Sequence, residues 1–190
     1  MAYGGLVTEA TKELPTVGDF MTYTPCTADE GLSILDAQDR MNANNIRHLL
    51  VTRNDHLVGV VSSRDITFAL SLPGVKPDKL TVFQAMTAAP FTCGPRASLA
   101  EVCKEMEAHR YGCAVIVDDG LVTGIFTTTD ALRAVRALAT GEPVEPMVKP
   151  SHIVDQPKVR PHVEHTVRLG QQLGNAAPSR KAGRIMGAGG

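Results

Sequence analysis

Two short stretches of the sequence set hydroxyls and a carboxylate at the same spacing: Gly59-Val60-Val61-Ser62-Ser63-Arg64-Asp65 and Gly124-Ile125-Phe126-Thr127-Thr128-Thr129-Asp130. Each reads as a short apolar strand running into a hydroxyl cluster, with an aspartate closing the cluster where a helix should begin. Unpaired N–H groups at a helix N-terminus, with hydroxyls beside them, are a natural place to hold an anion or a sugar. The same residues are also ordinary helix caps, Ser62-x-x-Asp65 and Thr127-x-x-Asp130, worth about 1 kcal/mol each to the fold. A cap, however, requires neither the preceding apolar strand nor a second copy of the whole stretch.

The elements that position these groups repeat at a fixed offset of 65 residues. Residues 16–70 laid on 81–135 without a gap give twelve identities in 55 positions, several times the chance level, so the two halves are expected to share one local structure. Thr16-x-x-Asp19 and Thr81-x-x-Gln84 start short helices, and Pro25 and Pro90 then force an extended segment. Ser33-x-x-Asp36 and Ser98-x-x-Glu101 are capping boxes. Behind the second, Leu99, Val102, Cys103 and Met106 form one apolar helical face, matched by Ile34, Ala37 and Met41. Two strand pairs are predicted, Ile46–Val51 with Leu57–Val61 and Cys113–Val117 with Leu121–Phe126, and closing helices over Ile66–Leu72 and Ala131–Ala139. Met21, Met41, Met86 and Met106 read as core filling.

These patterns divide the chain into a leader (1–15), a first repeat (16–72), a linker (73–80), a second repeat (81–140) and a Pro/Gly-rich arm (141–190) expected to be extended or partly disordered, with one short helix over Pro161–Leu173. The charges nearly cancel, 19 Lys+Arg against 20 Asp+Glu, so no global field attracts nucleic acid or an anionic membrane. Cys26, Cys93, Cys103 and Cys113 form no C-x-x-C and no paired zinc spacing, the start of the chain carries no basic-then-apolar signal, and no apolar stretch approaches the roughly 20 residues of a membrane span. A cytoplasmic, reduced protein is the expectation.

The residues carrying the repeat, Val17-Gly18-Asp19-Phe20-Met21-Thr22, Ile46-Arg47-His48-Leu49-Leu50-Val51 and the two G-h-h-[ST]-x-x-D stretches, resemble a tandem pair of cystathionine-β-synthase-type (CBS) domains, a Bateman module, over roughly residues 16–139. The resemblance implies an α+β fold: two βαββα repeats packed sheet to sheet about a pseudo-twofold axis, with the arm appended. It also implies two clefts that bind adenine nucleotides, each taking the hydroxyl–Asp motif from one repeat and adenine-facing strand residues from the other. One cleft would then comprise Ile125, Thr127, Thr129 and Asp130 with Thr22, Thr24, Pro25, Cys26, Arg47 and His48. The other would comprise Val60, Ser62, Arg64 and Asp65 with Thr87, Ala89, Pro90, Phe91, Gly112 and Cys113. Leu50 and Val115 depart from the family's pattern, which usually has proline in that strand.

An ionised aspartate accepts two hydrogen bonds from vicinal hydroxyls, so Asp65 and Asp130 suit a ribose. Nearby Ser and Thr hydroxyls and the cations Arg47, Arg64, Arg110, His48 and His109 suit phosphate. Three hydroxyls and Arg47 favour the Asp130 cleft as the nucleotide site; Arg64 and Phe91 make the Asp65 cleft the second choice. The function expected is a regulatory module that binds AMP, ADP or ATP, or else S-adenosylmethionine, and signals to an effector protein, commonly as a homodimer. The alternative is a ligand-free dimerisation scaffold whose arm binds a partner. No nucleophile–base pair, paired carboxylate or metal cluster emerges in the repeats, so neither an enzyme nor a metal site is expected. The histidines His152, His162 and His165, and the basic Arg180, Lys181 and Arg184, read as solvated arm.

Overall fold

The computed structural model describes residues 14–145, 147, 148 and 158. In the first repeat, a 3₁₀ turn at Val17–Asp19 leads to β1 (Thr22–Tyr23), β2 (Thr27–Asp29), α1 (Ile34–Ala43), β3 (His48–Arg53), β4 (His56–Ser62) and α2 (Ser63–Ser71). A 3₁₀ turn at Pro77–Lys79 leads to the second, with α3 (Val82–Ala85), β5 (Thr87–Ala88), β6 (Thr92–Cys93), α4 (Leu99–His109), β7 (Cys113–Asp118), β8 (Leu121–Thr127) and α5 (Thr128–Thr140). A ninth strand, β9 (Met147–Val148), follows. The predicted helix over Pro161–Leu173 lies outside the described residues.

The 65-residue offset extends into backbone geometry. Left-handed residues occur in matched pairs: Thr24 (φ 50) with Ala89 (φ 49), Asn45 (φ 50) with Arg110 (φ 58), and Asn54 (φ 50) with Asp119 (φ 47). At the first pair the chain turns out of one strand and into the next, so the single opening strand expected in each repeat is two short strands. The closing helices begin three residues earlier than predicted. Ser62 and Thr127 are the caps themselves, each accepting from the third following N–H, so the residues after them already lie in the first turn.

The two opening strands of a repeat belong to different sheets. β1 pairs antiparallel with β8 (Thr22 with Ile125, Tyr23 with Gly124), and β5 pairs in the equivalent register with β4 (Val60 with Thr87, Gly59 with Ala88). The sheets are therefore ordered β6-β7-β8-β1-β9 and β2-β3-β4-β5. The residues just before the opening strands cross over as well. Val17 N–H donates to Ala97 O (3.0 Å) and Leu99 N–H to Pro15 O (3.0 Å), while Val82 N–H donates to Leu32 O (2.9 Å) and Ile34 N–H to Leu80 O (3.0 Å).

Packing follows this exchange. One core joins Val17, Phe20 and Met21 to Leu99, Val102, Met106 and Phe126. The other joins Val82 and the partly buried Met86 to Ile34, Met41, Val51, Val61 and Ile66. Between the sheets, Leu50 and Leu57 of one meet Cys113, Val115, Val122 and Ile125 of the other in a third apolar layer. Leu50 and Val115 are thus fully buried sheet-to-sheet contacts.

The motif glycines make the crossing possible. A Cβ on Gly59 would stand 2.5 Å from Met86 Sδ and 2.8 Å from Thr87 O, and one on Gly124 would stand 2.7 Å from Met21 Sδ and 3.0 Å from Thr22 O. At Gly59 the carbonyl contact is closer than carbon can approach, so the crossing strand would have to move; at Gly124 the Met21 thioether would have to move, and the carbonyl contact is tight. Gly59→Ala and Gly124→Ala should each destabilise the fold by about 1–3 kcal/mol, read as a lower urea midpoint. Unchanged midpoints in both would mean that the strands do not cross so closely.

Candidate functional site

Each exchanged strand lies opposite a hydroxyl–Asp motif, and two clefts result. The first cleft is lined by Thr22, Pro25, Cys26, Asn45, Ile46, Arg47, His48, Ile125, Thr127, Thr129, Asp130 and Met147 and encloses about 270 Å³. Of the residues expected here all are present except Thr24, whose hydroxyl donates to Tyr23 O (2.8 Å). The second cleft encloses about 920 Å³ and brings together every residue expected there: Val60, Ser62, Arg64 and Asp65 with Thr87, Ala89, Pro90, Phe91, Gly112 and Cys113. Among its further lining residues are Glu107, Arg110, Tyr111, Thr128 and Leu132.

The two aspartates are held alike by one oxygen and differ at the other. Asp65 Oδ2 accepts from Ser62 N–H (2.8 Å) and Ser62 Oγ (2.6 Å); Asp130 Oδ2 accepts from Thr127 N–H (2.8 Å) and Thr127 Oγ1 (2.7 Å). These are reciprocal capping boxes, which orient the carboxylate while satisfying the cap. Asp130 Oδ1, however, also accepts from Thr22 Oγ1 (3.3 Å) and faces Arg133 Nη2 (3.2 Å), and Asp130 is only 2% exposed. Arg133 in turn donates to Phe20 O. The position equivalent to Arg133 in the first repeat is Phe68, which is exposed, so Asp65 Oδ1 carries no hydrogen bond or ion pair among the described residues. Asp130 is thus saturated by its own protein, whereas Asp65 keeps one carboxylate oxygen for a ligand.

Around Asp65 the chemistry suits a nucleotide. Phe91 stacks on Tyr111 (centroids 5.5 Å apart, planes 21° apart), and Tyr111 stacks on His109 (5.2 Å, 18°), giving an aromatic ladder against which a base can pack. Arg47, Arg64 and Arg110 supply positive charge around the same cavity. Arg47 and His48 line both clefts, and Arg47 Nη2 donates to Thr129 Oγ1 (3.1 Å).

Sequence reasoning missed Arg133, Tyr111 and Met147. For Arg133 a signal was present: Asp130-x-x-Arg133 on a helix is an i,i+3 pair. Tyr111 follows the left-handed Arg110 that caps α4, and the helix end expected near His109-Arg110 carried no signal that the next residue lines a cleft. Met147 lies in a two-residue strand between prolines, too short for any periodicity.

Cys93 and Cys113 offer no thiolate. Burial pushes the Cys113 thiol up to about 12 and Cys93 to about 11, so both stay protonated at neutral pH. Among the described residues no three His, Cys, Asp or Glu side chains cluster to hold a metal, and no helix is long and apolar enough to cross a membrane. His152, His162 and His165 lie outside the described residues.

His48 packs against Gly112, where a Cβ would stand 2.7 Å from its Nε2. Desolvation and then the neighbouring Arg47 charge lower its pKa from 6.5, against a smaller opposing pull from Asp65. The unfolded chain therefore takes up the proton more readily. The stability linked to neutral His48 is complete above pH 6.5 and is lost as pH falls through the depressed folded value. Urea midpoints should fall on acidification below pH 6.5, and His48→Gln should flatten that dependence; an identical slope in the variant would remove His48 as its source.

Comparison with known proteins agrees with this architecture. The CBS domain profile matches residues 17–72 and 82–137. Inosine-5′-monophosphate dehydrogenase of Nitrosopumilus maritimus (strain SCM1) is 35% identical over 115 residues, covering 60% of this chain and 23% of the relative. L-aspartate semialdehyde sulfurtransferase of Methanocaldococcus jannaschii is 31% identical over 119 residues, 62% of this chain and 22% of the relative. The chain thus spans less than a quarter of the length of these relatives. Among solved structures, a proposed acetoin utilization protein (AcuB) from Vibrio cholerae superposes with TM-score 0.59 at 30% identity, covering 70% of this chain and 99% of that one. The CBS domain pair of protein MJ0100, in complex with 5′-methylthioadenosine and S-adenosyl-L-methionine, superposes with TM-score 0.60 at 28% identity, covering 66% and 98%. Two profile matches at the sequence repeats, exchanged opening strands and two clefts between the sheets lead to one assignment: this chain belongs to the CBS domain family and carries a tandem pair of its domains.

Proposed function

We propose that this chain is a regulatory module that takes an adenosine-containing ligand, AMP, ADP, ATP or S-adenosylmethionine, between its CBS repeats and passes the occupancy to a partner protein in the cytoplasm. The observation that carries this reading is the uncommitted Oδ1 of Asp65, held by a capping box at the mouth of α2 in a cleft of about 920 Å³. That volume lies within the range of about 300–1,000 Å³ usual for small-molecule sites. Asp65 would accept a ribose hydroxyl, the Phe91–Tyr111 stack would flank the base, and Arg64 and Arg110 would meet phosphate or carboxylate. The complex of the MJ0100 pair with two adenosine compounds supports the ligand class. Sequence alone favoured Asp130, Thr127 and Thr129; the saturation of Asp130 moves the preferred site to the Asp65 cleft.

Signal arises only if the ligand prefers one arrangement of the lobes, since binding shifts a conformational equilibrium by its differential affinity alone. Leu132 lines the Asp65 cleft and begins an exposed apolar stripe with Val135 and Leu138 on α5; Phe68 on α2 and Leu72 at its C-terminal cap are exposed apolar residues as well. These residues fit a second copy of the chain in a homodimer, which would place the partner subunit next to the cleft. The alternative, a ligand-free dimerisation scaffold whose arm of residues 141–190 binds a partner, uses the same face.

Calorimetric titration with the four ligands separates the two readings. Saturable binding is expected, and Asp65→Ala should weaken it about 10- to 100-fold, the worth of a hydrogen bond to a charged group. Absence of heat at near-millimolar ligand would sink the sensing function and leave the scaffold. In sedimentation equilibrium the chain should run as a dimer and a Val135→Glu, Leu138→Glu double variant as a monomer; a monomeric parent chain would remove these apolar residues as an interface.

A further inference from the structure

The repeat relates the two clefts, yet among the described residues only the Asp130 cleft carries a further segment of the chain. Beyond α5, Glu142 pairs with Arg136 and Val144 packs against the core of the lobe that contains α5. β9 then runs parallel to β1, Met147 beside Thr22 and Val148 beside Tyr23, and Met147 forms part of the wall of the Asp130 cleft. The equivalent edge, β5, has no such strand among the described residues; Thr87 and Ala88 are exposed, whereas Thr22 is only 8% exposed. Farther along, Lys158 reaches the tips of both hairpins, its N–H donating to Asp55 O (2.6 Å) and its carbonyl accepting from Leu57 N–H (2.8 Å), with a further bridge to Leu121. The arm is therefore fastened at two places.

We infer that β9 is a built-in plug of the Asp130 cleft, so that docking of the arm and occupation of that cleft by a ligand exclude each other. The inference rests on the reading that the clefts take an adenosine ligand. Three observations converge on it. The outer edge of β1, the strand carrying Thr22 into the cleft, is paired with the arm; Met147 forms part of the cleft's wall; and Asp130 has both oxygens engaged within the protein. Among the described residues the Asp65 cleft bears none of these covers, and it fills first. Binding at the Asp130 cleft comes later, at higher ligand concentration, and frees the arm. Coupling of this kind is reciprocal: whatever holds the arm down weakens the ligand, and the ligand releases the arm by the same factor. The released segment then becomes available to a partner only at the second threshold.

The test uses the full chain with Met147→Asp, and Met147→Gly as the milder form, each checked for an unaltered circular dichroism spectrum. Equilibrium dialysis with AMP should give one bound nucleotide per parent chain in the range that saturates the Asp65 cleft, and two per variant chain. The second should vanish on Asp130→Ala, and its affinity should exceed that of the parent's second site by about 5- to 150-fold. Hydrogen exchange at residues 22–23 and 147–148 should be slow in the parent chain, fast in the variants, and accelerated in the parent by AMP at concentrations that fill the second site. Equal stoichiometry and affinity in parent and variants would overturn the plug, as would fast exchange at 147–148 in the ligand-free parent. If neither protein binds AMP, the nucleotide reading and with it the competition fall, and slow exchange in the parent alone then shows that the arm is a structural strand.

Discussion

The contact on which the rest of the structure depends is the close crossing of a strand from one repeat over a glycine of the other. At Gly124 and Gly59 the missing side chain admits Met21 with Thr22, and Met86 with Thr87, to within a distance that any Cβ would forbid. Because of that crossing each sheet contains strands from both repeats, and each core contains a methionine and a valine contributed from the far half of the chain. The clefts are a product of the same exchange: neither repeat alone has both a hydroxyl–Asp motif and a strand facing it. A site divided in this way registers the relative position of the two lobes, which is the property a sensor needs.

On this nearly symmetric frame the differences between the repeats determine the chemistry. Arg133 stands where the first repeat has Phe68, and it closes the charge of Asp130 inside the protein. Arg47 and His48 stand where the second repeat has Gly112 and Cys113, so the first repeat supplies a guanidinium and an imidazole, and Gly112 leaves the room for the imidazole. The result is one compact, internally satisfied cleft and one open cleft, built from the same backbone. The cap reading of the motif is realised in both repeats: the capping box uses one oxygen of each aspartate, and the surroundings of the second oxygen distinguish the two clefts.

Much of this was legible in the sequence because the repeat preserves punctuation. Caps, prolines and the motif glycines lie at matched positions, and they locate the helices and hairpins to within a few residues. The helix starts at Ser63 and Thr128 agree with the cap reading of Ser62 and Thr127, and precede by three residues the apolar runs by which the closing helices are bounded in the sequence. The strand exchange was not legible from residue periodicity, since an ungapped offset shows that two segments adopt the same local form and not which lobe each packs in; the family resemblance implied only that each cleft draws residues from both repeats. The cleft residues were found almost completely, but their state was not. Whether Asp130 is open or satisfied depends on the direction taken by an arginine one helical turn away, and the cover over β1 comes from a two-residue strand.

Arg47 and His48 border both clefts, and His48 rests directly on Gly112 with no space for even a methyl group between them. The partition between the two chambers is accordingly about one side chain thick. A wall that thin has no slack: a phosphate drawing Arg47 toward one chamber takes it from Thr129 in the other, and a tilt of the imidazole that widens one side narrows its neighbour. The two chambers share that wall, so a change of side-chain conformation at Arg47 or His48 alters the shape of both.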